Sequence, residues 1–194
     1  MLCLYILLQL IFLALTVVSK INISDAFLLN IFKFLPIIIN LLFCFSKKIN
    51  FKLRFALFFT TIADFCFLFI NNCVLGISFF VLVQIIYYLY IKKSDNKLLV
   101  IISLINILLV WLLQKKILYF EVIIYSLFLI INILKTSKLS KKEKKFKLLK
   151  ISLILLLFCD LCIGIKTIFD LNKNVDILVN ILEWLFYIPS QVMI

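Results

Sequence analysis

The sequence predicts an all-α integral membrane protein, a polytopic bundle of about eight transmembrane helices. Of its 194 residues, 66% are hydrophobic, well above the roughly half that is typical of a soluble domain. These residues form continuous runs close to the length that a helix needs to cross the hydrocarbon core. The runs do not alternate apolar with polar residues, which disfavours a β-barrel.

The apolar runs follow one another with only short polar connections. Almost no chain is left for a soluble domain, so residues 1–194 are predicted to form a single transmembrane domain. The first run lacks a charged N-terminal region and a small-residue cleavage site, and is therefore predicted to be a retained span. The predicted spans are 2–19, 26–45, 53–71, 74–91, 98–113, 117–134, 148–165 and 175–194.

The basic residues predict the orientation. In an eight-helix chain the loops after the second, fourth and sixth spans share a side with both termini. They carry about three times as many Lys and Arg residues as the loops on the other side, which places both termini in the cytoplasm. The longest charged loop is predicted over 136–147. We therefore expect a multi-pass protein of the cell membrane, of the bacterial inner membrane type.

The net charge of +12 lies in loops between apolar runs, and the aromatic residues lie within those runs. A nucleic-acid platform would interleave aromatic and basic residues, so no nucleic-acid partner is predicted. The basic loops are expected to contact anionic lipid headgroups instead.

Cysteine and histidine usage limits the chemistry. The six cysteines fall within or at the ends of apolar runs, and the chain has no histidine. Cys159 and Cys162 form a CxxC without a second pair, and we interpret the cysteines as small packing residues. Ser–His and Cys–His dyads are impossible and a His-ligated metal is excluded; neither a cofactor nor a metal is predicted. Ser78 and Ser126 are expected either to serve as packing residues or to hydrogen-bond to the backbone of their own helices.

Several polar side chains lie inside the predicted spans, where an ionisable group costs at least about 2.5–3.5 kcal/mol. Glu121 stands only about four residues into its span, so we expect it to be solvated near the outer interface. The others fall in one layer near the midplane, by the rise per residue of a helix. They are Lys33, Asp64, Gln84, Asp160 and Glu183.

Charges that face lipid are the worst arrangement, so these groups are expected to converge on an interior cavity. One alternative is a pair between Lys33 and a carboxylate that serves only to hold helices together. Such a pair leaves a carboxylate over, and two carboxylates in different surroundings are the usual equipment for general acid and base catalysis.

The region 55–90, FALFFTTIADFCFLFINNCVLGISFFVLVQIIYYLY, carries an aspartate late in one helix, a short turn, and a Gly-x-x-x-Phe helix. This layout resembles the YhhN-like lysoplasmalogenase family of eight-helix membrane hydrolases, whose fourth helix ends in His-x-x-Tyr. The matching residues here are Asp64, Gly76, Phe80, Gln84 and Tyr87.

The resemblance extends over most of the chain. Upstream, Lys33 to Pro36 is similar to the family's Lys-Pro, and LLLFCDLCIGIKTI places Asp160 at its second aspartate. The last span is similar to the family's closing Tyr…Gln segment. The departures are Ala63 for Gly, Cys159 for Ser, and Gln84 for His; Gln cannot transfer a proton at neutral pH.

The resemblance implies hydrolysis of the vinyl-ether bond of a lysophospholipid, a lysoplasmalogen, to a fatty aldehyde and a glycerophospho-headgroup. Asp64 and Asp160 would be the catalytic acid and base. The residues implied to bind the substrate are Lys33, Gln84, Tyr87, Glu183, Tyr187 and Gln191.

The alternative is a small membrane transporter or substrate-binding subunit that uses the same midplane charges. Against it, Gly and Pro interruptions are few. A structural protein without a site would not explain the layer of charges.

Overall fold

The computed structural model describes residues 9–11, 14–15, 18, 26–46, 49–92, 118–169 and 172–193. This part of the chain is helical and contains no strand, which confirms the all-α class. Six of its segments are long and apolar enough to cross a membrane. The helices are α1 (Ala26–Ser46), α2 (Phe51–Phe65) with a π-helical continuation (Cys66–Ile70), α3 (Cys73–Lys92), α4 (Leu118–Leu139), α5 (Lys145–Ile168) and α6 (Lys173–Val192).

These helices correspond to six of the eight predicted spans. Of the first predicted span, 2–19, only six residues are described, and the fifth, 98–113, lies outside the described residues. The predicted charged loop over 136–147 is wrong in its length, because α4 runs to Leu139 and α5 begins at Lys145. Thr136 is fully buried and donates to the backbone oxygen of Asn132 at 2.7 Å, and Phe146 is also fully buried. These buried contacts extend both helices into the basic segment.

The tight turn predicted between the third and fourth spans is made by two asparagines. Asn71 has a φ of 55°, a left-handed conformation that asparagine tolerates better than most residues. Asn72 then accepts a hydrogen bond from the backbone N–H of Leu75 at 3.0 Å. The π-helical turn that precedes Asn71 begins two residues after Asp64, and π-helical turns often occur at functional sites.

The helices pack in chain order around a ring. Each of α1 to α5 contacts the next helix, and α1 also contacts α6, which closes the order. Every helix contributes side chains to one buried cluster, including Ile37 of α1, Leu82 of α3 and Leu153 of α5. Large apolar side chains cover the outside, as Leu134, Leu148 and Leu178 show. An apolar exterior around a packed interior suits a lipid environment.

Candidate functional site

The predicted site residue Asp64 lies on α2, and 6% of it is exposed. Its carboxylate accepts a hydrogen bond from the hydroxyl of Tyr187 on α6. Tyr187 is buried too, and its ring packs edge-on against Trp184 with the centroids 5.5 Å apart. The structure therefore joins two residues that lie 123 positions apart in the sequence.

The second predicted aspartate, Asp160 of α5, has a similar partner. The Tyr125 hydroxyl on α4 donates to its Oδ2 at 2.7 Å. Tyr125 was not among the residues singled out from the sequence. A tyrosine in an apolar helix gives no signal of its own, because its ring alone accounts for it as a packing residue.

The two carboxylate–tyrosine pairs belong to one cluster. Cys159 is buried within electrostatic range of both Asp64 and Asp160. Tyr187 likewise lies within range of Tyr125. Asp64 and Asp160 thus both lie within range of the same residue, Cys159. Cys159 and Cys162 are free thiols and are both buried, as expected of packing residues.

One face of α6 supplies much of this layer, through side chains three or four residues apart. Glu183 forms an ion pair with Lys166 of α5, with Nζ and Oε2 2.7 Å apart, and Asn180 accepts from the same ammonium at 2.7 Å. Glu183 is also within electrostatic range of Asp160. Next to it, the Trp184 ring has the Lys33 ammonium 5.1 Å from its centroid. Glu183 and Tyr187 therefore lie on this part of α6, and Lys33 of α1 lies against Trp184 beside them.

Lys166 is a residue that the sequence interpretation misplaced. The predicted span ended at residue 165 and left Lys166 to an outer loop, whereas α5 continues to Ile168. The side chains of Lys166 and Glu183 are 25% and 14% exposed. A lysine near the end of a span can extend its apolar stem along the helix. On this ground Lys166 could have been assigned to the span from the sequence.

Gln84 and Tyr87 lie side by side on α3, both fully or almost fully buried. The Asn132 amide of α4 donates to the backbone oxygen of Gln84 at 2.8 Å and to its side-chain oxygen at 2.9 Å. Tyr87 lies within electrostatic range of Tyr125, which connects this pair to the Asp160 side of the cluster. Asn132 was also missed from the sequence.

Gln191, the last predicted site residue, is 4% exposed near the end of α6. Its backbone oxygen accepts from the Asn40 amide of α1 at 2.7 Å. Gln191 and Tyr187 line one small cleft together with Gln9 and Asn40. Predicted binding residues thus lie on both sides of Tyr187 along α6, with Glu183 before it and Gln191 after it.

The prediction that Glu121 is solvated near the outer interface is wrong. Glu121 is fully buried at the start of α4. Depth along a helix does not determine which way a side chain points, and here it points inward. Ser78 and Ser126 donate to Val74 and Val122 of their own helices, each at 2.8 Å, as expected.

In the part of the chain that the structure describes, no group of three or more Cys, Asp or Glu side chains is placed to hold a metal ion. The cluster holds two carboxylates, each with its own tyrosine donor, inside an apolar bundle.

The fold and the cluster define a multi-pass helical membrane protein in which Asp64 is buried and Asp160 partly buried within the bundle. The model of the YhhN family matches residues 28–194. The chain therefore belongs to the YhhN family, as its motifs indicated. Comparison with curated proteins gives no match, and comparison with solved structures gives none either.

Proposed function

We propose that this protein is a lysoplasmalogenase-type hydrolase that cleaves the vinyl-ether bond of lysoplasmalogens by general acid and base catalysis. The observation that carries the proposal is the pairing of each intramembrane aspartate with a tyrosine hydroxyl, in a chain that belongs to the YhhN family. The family membership supports a hydrolase, and the two carboxylates supply the chemistry.

The reaction consumes one water molecule. A general acid protonates the vinyl carbon remote from the ether oxygen, which produces an oxocarbenium ion. Water adds to the carbon bearing the oxygen, and its proton passes to the base. The resulting hemiacetal then breaks its bond to the glycerol oxygen, releasing a fatty aldehyde and the glycerophospho-headgroup. In our proposal Asp64 and Asp160 divide the acid and base roles.

The carboxylate that is ionised also stabilises the oxocarbenium ion electrostatically, an effect that is large in a site of low dielectric. The tyrosines hold the carboxylates in position: the Tyr125 hydroxyl lies 2.7 Å from Asp160. A carboxylate that cannot rotate away is already oriented for proton transfer.

The substrate is a lysophospholipid with one chain, and we propose that it enters laterally from the bilayer. The proposed binding residues are Lys33, Gln84, Tyr87, Glu183, Tyr187 and Gln191. We also propose that the chain crosses a bacterial inner membrane eight times, with both termini in the cytoplasm. The basic loops on the cytoplasmic side would then contact anionic lipid headgroups. A phosphate headgroup would favour the end of the cluster that holds the cations Lys33 and Lys166.

The test is aldehyde release from choline- and ethanolamine-lysoplasmalogen by purified protein in liposomes. We expect Asp64→Asn and Asp160→Asn each to lower kcat by roughly 100-fold or more, because general acid–base groups contribute about that much. Asp176→Asn is the matched control, since Asp176 lies in the first turn of α6, eleven residues before Tyr187. It should keep wild-type turnover.

Unchanged release from the folded double variant, Asp64→Asn with Asp160→Asn, would exclude these residues as the acid and base. Absence of release from folded wild-type protein would contradict the hydrolase itself. In that case solute and ion flux across the liposomes would test the transporter interpretation, and Gln84→His would test whether the residue that departs from the family had abolished turnover.

A further inference from the structure

Two lysines from neighbouring helices meet over one aromatic ring at the C-terminal ends of α3 and α4. The ammonium of Lys135 on α4 lies 3.6 Å from the centroid of the Tyr88 ring, and the ammonium of Lys92, in the last turn of α3, lies 6.0 Å from it. Tyr88 and Lys135 are partly exposed, and Lys92 is exposed. A ligand can therefore reach these side chains from outside the bundle.

The order of the contacts between α3 and α4 shows that the two helices run parallel. Phe80 packs against Tyr125 with the ring centroids 6.0 Å apart, and further along both helices Tyr88 meets Lys135. The C-terminal ends of both helices therefore lie at the same end of the bundle, which faces the cytoplasm in the orientation proposed above. Tyrosine and lysine at a span end are typical of the level of the lipid headgroups.

The two lysines concentrate positive charge that the described residues do not neutralise. Neither Lys92 nor Lys135 forms an ion pair with a carboxylate of these residues, and Lys138 adds a third cation in the last turn of α4. The C-terminal end of each helix contributes only about half a negative charge. The Tyr88 ring covers one side of each ammonium, whereas an ammonium has three N–H donors. Charge and donors therefore remain for an anion.

An exposed apolar stripe on α4 leads along the helix to Lys135. Leu127 and Ile131 precede this lysine by eight and four residues, and side chains with this spacing lie on one face of a helix. They are 55% and 38% exposed. This face therefore presents a cation at headgroup level and a hydrocarbon surface deeper in the membrane, and it suits a ligand with an anionic head and an apolar chain.

We propose that Lys92, Lys135 and Tyr88 bind the phosphate of one anionic phospholipid, whose acyl chain lies along Leu127 and Ile131. The ammonium groups pair with the phosphate oxygens, and the Tyr88 hydroxyl is a further donor to them. A zwitterionic phospholipid fits less well, because the two lysines repel its own ammonium group. Basic pockets between membrane helices bind anionic headgroups in this way. The bound lipid joins α3 to α4 at one defined place, apart from the general attraction of the basic loops to the membrane.

Lipid binding is measured without turnover, by native mass spectrometry of the full-length protein, so the result does not depend on the proposed hydrolase. The probes are phosphatidylglycerol and phosphatidylcholine with identical acyl chains. The test variant is Lys92→Gln with Lys135→Gln. The matched control is Lys144→Gln with Lys147→Gln, which removes the same charge from exposed positions at the start of α5, at the same end of the bundle.

We expect wild-type protein to bind one phosphatidylglycerol roughly 10- to 30-fold more tightly than phosphatidylcholine, because both lysines attract the anionic headgroup. The test variant should bind the two lipids equally, and the control variant should keep most of the preference. Absence of a preference in wild-type protein would overturn the proposal, and this comparison does not depend on whether a variant folds. Equal losses in the test and control variants would also overturn it, because the preference would then come from the net charge of the protein.

The acyl chain and the joining of the helices have their own readouts. Glycerophosphoglycerol, which carries the headgroup without chains, should not displace the bound lipid. Displacement by it or by inorganic phosphate would overturn the lipid assignment, because the site would then take a free phosphate group. Phosphatidylglycerol should raise the thermal unfolding midpoint of wild-type protein more than phosphatidylcholine does. Equal midpoints with the two lipids would overturn the proposed link between α3 and α4.

Discussion

Tyr187 donates a hydrogen bond to Asp64 and thereby links α6 to α2, two helices that both pack against α1. Both residues are more than nine-tenths buried. Since Asp64 lies just before the π-helical turn and Tyr187 lies next to the cleft, the contact connects the carboxylate to the cleft's polar side chains. The hydroxyl determines where the carboxylate points, which an apolar residue at position 187 could not do.

Tyr187→Phe should therefore lower turnover while leaving the bundle intact. A hydrogen bond to a charged group is worth about 1.5–3 kcal/mol, so we expect kcat to fall by roughly 10- to 100-fold. Aldehyde release measures it, and Tyr119→Phe is the matched control because Tyr119 is 81% exposed on the outside of α4. Equal turnover in the two variants would show that the Tyr187 hydroxyl does not orient Asp64 for the reaction.

The ion pair between Lys166 and Glu183 should stabilise the contact between α5 and α6. Its side chains are 25% and 14% exposed, and removal of one partner leaves the other charge mostly buried. We expect Lys166→Met or Glu183→Gln alone to cost about 1–3 kcal/mol, less than a fully buried pair. The double variant should cost less than the sum of the two.

Unfolding in mixed SDS micelles measures this double-mutant cycle. The pair of Lys145 with Glu143 is the control, since its atoms are 3.0 Å apart but its side chains are 52% and 36% exposed. Solvent screens such a pair, so no measurable coupling is expected there. Additive losses for Lys166 and Glu183 would mean that their contact adds nothing to the stability of the bundle.

Asn132→Leu should destabilise the contact between α3 and α4. Asn132 supplies the amide hydrogens for both oxygens of Gln84, at 2.8 and 2.9 Å, and Gln84 is fully buried. Loss of the donor leaves buried acceptors, at a cost of about 1–3 kcal/mol. Thermal unfolding in detergent measures the loss, and Asn174→Leu, at an exposed position on α6, should change the midpoint little. Equal midpoints would show that the Gln84 oxygens do not depend on Asn132.

The spans were predictable because a helix that crosses a bilayer must remain apolar over a length set by the hydrocarbon thickness. The residues at which the helices end were harder to predict. At residues 136–147 the basic residues indicated a loop, but buried Thr136 and Phe146 extend both helices into it. Lysines tolerate this because their charged ends reach water from a helix surface. Lys166 was left out of the predicted site because it, too, was assigned to a loop on account of its charge.

Depth along the axis can be predicted from the rise per residue of a helix, and it placed Asp64 and Asp160 in one predicted layer. The direction in which each side chain points cannot be predicted in this way, because it depends on how each helix is rotated against its neighbours. Tyr125, Asn132 and Gln9 therefore entered the site only through the structure. The inward direction of Glu121 was missed for the same reason.

We expect Gly76 of α3 not to tolerate substitution by alanine. A Cβ built there would lie 2.6 Å from Cε2 of Phe67, in the π-helical turn after Asp64. Phe67 packs against Phe80 with their rings 5.9 Å apart, and Phe80 packs at 6.0 Å against Tyr125, the partner of Asp160. Displacement of Phe67 therefore reaches Asp160 through packed rings and Asp64 through the π-helical turn that follows it.

We expect Gly76→Ala to cost about 1–3 kcal/mol through overpacking and to lower aldehyde release as well. Gly164→Ala in α5 is the control, because no atom of the described residues lies within 4 Å of a Cβ at that position. There alanine should be neutral or stabilise the helix by up to about 1 kcal/mol, through its higher helix propensity. If Gly76→Ala matched Gly164→Ala in both stability and turnover, the Phe67 ring would be free to move aside, and the glycine of the Gly-x-x-x-Phe motif would not be required for packing.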